Sequence, residues 1–149
     1  MRLLLFGWAL HMVAAQLIPH AWWVPDLTSV GLVLGMRAGG RQAVWLPLCA
    51  GALTLLWAIR APAALFFGYA AFGMLAWSAA RIWNLADTRI QAIMTFALSS
   101  ALGWILVWAD GRLSWPLILA VMGRSLGSAF CAFILGRWLV RRRRMPEMV

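Results

Sequence analysis

Few side chains in this sequence could do chemistry, and their spacing keeps most of them apart. Two histidines, four carboxylates and two cysteines are spread over 149 residues. His11 falls inside an apolar run and His20 at the edge of one. Two axial histidines at matched depth on facing helices, which a b-type haem needs, are therefore not offered. Cys49 and Cys131 stand singly in apolar runs with no CxxC, and read as small packing residues rather than redox or metal groups. Gln16 lies five residues from His11 and need not share its face. Asp26, Asp87, Asp110 and Glu147 form no pair placed for acid–base work, and neither a Ser–His–Asp arrangement nor a phosphate loop is present. The expectation is a protein with no catalytic residue, no metal and no cofactor.

One residue breaks this pattern. Arg124 lies ten residues after Ser114 and fourteen before Trp138, near the middle of an apolar stretch. An arginine at the centre of a membrane helix costs about 2.5–3.5 kcal/mol to insert, so it must face protein or water and find a partner. No acidic residue sits at the same depth; Asp26 just inside the outer boundary, Asp110 on the outer loop and the backbone carbonyls around Pro25 are the candidates. Two roles are open for it: contact with a partner subunit or an anionic ligand, or a pin holding the second and sixth helices of the chain together. Its surroundings are built of small residues. Gly123 and Gly127 form a GxxxG that Cys131 continues, and Gly31, Gly35 and Gly39 repeat that spacing. Small residues let helix backbones approach closely in lipid, either within one chain or between two.

The elements that must position these residues are six apolar stretches, Leu3–Ile18, Trp22–Met36, Gln42–Ile59, Ala61–Trp83, Ile90–Ala109 and Trp115–Val140. A straight membrane span needs about 20 residues. The last three stretches have that length, and the second, which opens Trp22-Trp23-Val24-Pro25-Asp26, is short enough to be tilted or re-entrant. Pro25 is expected in the first turn of its helix, with Asp26 at the positive dipole end. Asp87-Thr88 reads as the cap of the fifth helix and Ser114-Trp115-Pro116 as the start of the sixth. Short connections make sequential helices antiparallel neighbours. The first stretch, with Arg2 before Leu3–Val13 and then Ala14-Ala15, has the outline of a signal peptide but is counted as a span. The expected architecture is all-α: one domain over residues 1–140, a compact bundle of six transmembrane helices, or five if the second stretch does not cross, followed by a basic tail over 141–149.

Composition supports immersion in lipid. Hydrophobic residues make up 64% of the chain and charged residues 11%, against about one quarter charged in a soluble domain. All thirteen basic residues are arginine. Their positions argue against nucleic acid, since no basic groove with interleaved aromatics exists. Arg2, Arg37, Arg41, Arg81, Arg89, Arg137 and the run Arg141, Arg142, Arg143 and Arg144 fall on one side of a six-span arrangement, and only Arg60 and Arg112 on the other. That asymmetry places both termini in the cytoplasm, with the terminal run against anionic headgroups. Trp22, Trp23, Trp57, Trp108 and Trp115 then fall near the outer boundary, and Trp45, Trp77, Trp83 and Trp138 near the inner one, as an interfacial belt. Trp104 and Trp108, four apart on one face, are the candidates for a pocket instead.

Gln16-Leu17-Ile18-Pro19, then Pro25-Asp26-Leu27, then the glycine-bearing Leu48-Cys49-Ala50-Gly51-Ala52-Leu53 resemble segments of the bacterial rod-shape-determining MreD family. Leu55 stands where that family often carries an aspartate. The resemblance implies a fold similar to the substrate-binding subunits of energy-coupling-factor transporters. It also implies a non-catalytic scaffold in the bacterial inner membrane, within the machinery that elongates the cell wall. Its partners would be lipids, a bitopic MreC-like protein and a RodA-like glycosyltransferase with its transpeptidase. Two other functions fit the same helical plan: a small-molecule-binding transporter subunit, and an accessory subunit of a respiratory or photosynthetic complex. For the transporter reading, the spans are read as poor in Asn, Gln and Ser.

Overall fold

The computed structural model of the protein describes residues 1–17, 24–56, 61–111 and 114–144. The described residues form six α-helices and no strand: α1 (Arg2–Leu17), α2 (Leu27–Gly39), α3 (Leu46–Leu55), α4 (Pro62–Ile82), α5 (Thr88–Asp110) and α6 (Trp115–Arg144). A 3-10 segment, Gly40–Trp45, joins α2 to α3. Three of the six, α4, α5 and α6, are long and apolar enough to cross a membrane. Their outward faces carry Phe67, Leu75, Trp108 and Leu126, all exposed. A soluble monomer rarely leaves so continuous an apolar surface bare.

Several boundaries differ from the sequence expectation. Helix α2 begins at Leu27, so Pro25 precedes the helix instead of sitting in its first turn. The Asp26 carbonyl accepts from Val30 N–H and its carboxylate from Ser29 N–H, which makes Asp26 the N-cap. The third apolar stretch does not run as one helix from Gln42. Pro47 has no amide to continue the preceding turn and instead sits in the opening turn of α3. Helix α6 runs through Arg144, so the first four residues of the expected tail have helical backbone, while their side chains lie outside the described residues. Two ends match local chemistry closely. The Asp87 carboxylate accepts from Arg89 N–H at 2.8 Å, and Gly111 closes α5 at φ 65°, a left-handed conformation that glycine adopts without cost.

Helix α2 is the axis of the molecule. Every residue from Asp26 to Met36 is buried, although this is one of the shortest helices. It packs against α1, α3, α4, α5 and α6. Hairpin neighbours α1–α2, α3–α4, α4–α5 and α5–α6 build the shell around it. The closeness of these crossings follows from glycine. Gly7 of α1 and Gly31 of α2 face each other, and a Cβ on Gly31 would lie 2.6 Å from the Leu3 carbonyl oxygen. On α3–α4, Gly73 receives Pro47; on α4–α5, Gly68 receives Leu102; on α5–α6, Gly103 receives Val121. Helices in lipid gain little from mutual burial of apolar surface, so contact of this kind, backbone against side chain, holds them together.

Candidate functional site

Five helices deliver polar side chains to one buried point. Asp26 at the head of α2 has no solvent exposure, and its carboxylate is surrounded by donors. Ser29, one turn on, donates its hydroxyl to Oδ2 at 2.6 Å and its amide to Oδ1 at 3.1 Å. Tyr69 of α4 shares its phenolic proton between both carboxylate oxygens, at 2.9 and 3.0 Å. Arg124 of α6 places Nη2 3.7 Å from Oδ2, an ion pair slightly longer than a hydrogen bond. Among the described residues it is the sole ion pair.

A second layer fixes the first. Ser128, one turn beyond Arg124 on α6, accepts from the Asp26 amide at 2.7 Å and donates to the Arg124 carbonyl at 2.7 Å. Ser99 of α5 lies 3.4 Å from the Ser128 hydroxyl. His11 of α1 donates from Nδ1 to the Pro25 carbonyl at 3.0 Å, and the same carbonyl accepts the Leu27 amide. The Pro25 carbonyl is therefore occupied by His11 and does not serve Arg124. One donor stays alone: Arg124 Nε is buried with no acceptor.

The structure thus brings together Arg124 and Asp26, two residues far apart in sequence, and joins α2 to α6 through them. Gly127 lies on the same contact, where a Cβ would meet the Pro25 ring at 3.2 Å. Cys131 and Leu135 pack with Leu27, Val30 and Leu34 of α2. Gly123 is half-buried one residue before Arg124. Gly31 seats α1 and Gly35 approaches Leu46 of α3, so these two serve other crossings. Trp108, 84% exposed, and Trp104 lie on the outer surface. The side chains of Arg141, Arg142, Arg143 and Arg144, and all of His20, Trp22, Trp23, Trp57, Arg60, Arg112 and Glu147, lie outside the described residues.

Four members of the cluster escaped the sequence reading: Tyr69, Ser29, Ser99 and Ser128. Tyr69 carried a signal. It is the single tyrosine beside eleven tryptophans and seven phenylalanines, and a phenol in mid-helix needs a partner. The reading of the spans as poor in Asn, Gln and Ser is corrected by Ser29, Gln91, Ser99, Ser125 and Ser128, all buried. Ser125 and Thr95 had no visible signal because each donates to its own helix, to the Val121 and Gln91 carbonyls.

Chemically, the cluster holds one buried carboxylate that accepts from Ser29 and Tyr69 and is paired with Arg124. Among the described residues no group of three His, Cys, Asp or Glu side chains could hold a metal ion. What the arrangement does supply is fixed geometry between α1, α2, α4, α5 and α6. No family model, no curated protein and no solved structure matches this chain.

Proposed function

We propose that this protein is a non-catalytic membrane scaffold: a rigid helical bundle that holds transmembrane helices of partner proteins against its apolar exterior. One observation carries the reading. The buried charges, Asp26 and Arg124, are spent on each other in the interior, while the long helices present bare apolar faces outward. Such a molecule has its specificity on its lateral surface and rigidity at its centre. On the finer reading it spans the bacterial inner membrane six times with cytoplasmic termini. There it serves the wall-elongation complex in the manner of an MreD-like protein, on an S-component-like fold. The experiment is affinity purification of the full chain from native membranes, with identification of the chains that come with it. Co-purification of a bitopic protein and a polytopic glycosyltransferase is expected, and depletion should round rod-shaped cells. Normal shape in a clean deletion would refute the elongation role.

A second reading, a small-molecule-binding transporter subunit, is favoured by the buried Arg124 Nε with no acceptor. An anionic ligand would supply that acceptor. Ligand-dependent thermal stabilisation in detergent, lost in Arg124→Lys, is the result that would promote it over the scaffold.

A further inference from the structure

A narrow groove runs between α1, α2 and α6. Its walls are Phe6 and Leu10 of α1, Val30 and Leu34 of α2, and Leu135 and Leu139 of α6, and it encloses about 90 Å³. Almost no polar atom lines it. On α2 the lining residues Leu27, Val30, Gly31 and Leu34 form one stripe three to four residues apart, and Arg37 is the next residue of that stripe. Arg37 is also unusual in itself: its Nη1 is buried and has no acceptor. Arg2, exposed, directly precedes Leu3 at the same end of the groove. Beyond the lining residues Leu34 of α2 and Leu3 of α1, the chain therefore carries two arginines, one of them with an unmet donor.

We infer that this groove binds one anionic phospholipid, its acyl chain lying along α2 and its phosphate accepting from Arg37. The dimensions agree. From Leu27 to Leu34 the stripe rises roughly 10 Å, the headgroup-proximal third of a hydrocarbon core of about 30 Å. A zwitterionic lipid fills the slot equally well but carries a cation into a basic neighbourhood. Asp87, a carboxylate that could compete for the arginines, belongs to α5, which does not line the groove, and is engaged as the α5 cap. A bound lipid would tie α1 and α6 to the central helix, and this site would serve a scaffold or a transporter subunit alike.

The test uses the full chain in mild detergent, read by native mass spectrometry. The probes are phosphatidylglycerol, phosphatidylcholine with the same acyl chains, and inorganic phosphate. One phosphatidylglycerol should be retained about tenfold more tightly than phosphatidylcholine, a factor equivalent to about 1.4 kcal/mol, with no retention of inorganic phosphate. Arg37→Gln should abolish the preference and Arg37→Lys should keep most of it. Leu10→Trp alters a half-exposed wall position, leaves Arg37 in place and should expel the lipid by filling the slot. Equal retention of both lipids by the unaltered chain, or an unchanged preference in Arg37→Gln, overturns the assignment. Retention of inorganic phosphate alone reduces the site to an anion pocket and overturns the lipid. Should Arg37→Gln fail to fold, Leu10→Trp decides, since unchanged retention there rules the groove out.

Discussion

Asp26 and Arg124 define the energetic problem of the interior. Two opposite charges about 4 Å apart attract by about 4 kcal/mol at an effective dielectric constant of about 20, and taking both from water offsets much of that gain. The pair is tolerable because hydrogen bonds from Ser29 and Tyr69 share the carboxylate's charge. Removing one partner leaves the other uncompensated. Asp26→Ala and Arg124→Ala should each cost about 3–5 kcal/mol, read as lowered midpoints of thermal unfolding in detergent, and Arg124→Lys should cost less. The double variant should lose less than the sum of the singles, and strict additivity would show that the two charges do not interact. Tyr69→Phe, which deletes one donor to a charged acceptor, should cost about 1.5–3 kcal/mol without changing the helix content.

At the scale of the element, glycine decides which helices touch. Gly31 has the Leu3 carbonyl oxygen where a Cβ would go, and Gly136 has the Gln91 side-chain oxygen. The first obstacle is backbone and cannot swing away; the second is the end of a side chain. Gly31→Ala should therefore separate α1 from α2 and lower the unfolding midpoint far more than Gly136→Ala. Similar losses in both would mean that α1 yields as a whole. Gly111 offers a control, since its Cβ position is open space. Gly111→Ala should cost about 1–2 kcal/mol from the left-handed backbone alone. Elsewhere on α4 the guanidinium of Arg81 rests 3.9 Å above the Trp77 ring, one turn earlier. This stacking holds a charge at the helix end against an apolar face.

For the whole molecule, the testable consequence is crossing. Helix α5 has 23 residues, roughly 34 Å at the α-helical rise, which exceeds a hydrocarbon core of about 30 Å. Ala86 before it and Gly111 after it are both exposed. Single cysteines at these positions, in a chain with Cys49 and Cys131 replaced, should react with an impermeant maleimide from opposite sides of sealed vesicles. Labelling of both from one side would remove α5 from the membrane, and the scaffold proposal with it. Rigidity is the second property at this scale. Because α2 is covered by all five other helices, exchange of its amide hydrogens should be the slowest in the chain.

Composition and hydropathy alone determined that the chain is helical and that α4, α5 and α6 are long apolar helices, because apolar length is a property of a segment by itself. Local cap chemistry was legible too, at Asp87, where the partner amide is two residues away. Arg124 announced its need for a partner, since its cost in lipid does not depend on the fold. Which residue answers it is a different matter. Asp26 lies 98 positions earlier, and only the packing of α2 at the centre of the bundle brings the two within reach. Tyr69 and Ser128 join them for the same reason, whereas Ser29 is a local partner one turn along α2. The second stretch, the shortest and most doubtful as a sequence, became the central helix because Gly7 and Gly31 let backbones meet and Gly127 accepts the Pro25 ring. Such contacts are shared between chain segments, so no single segment carries their signature.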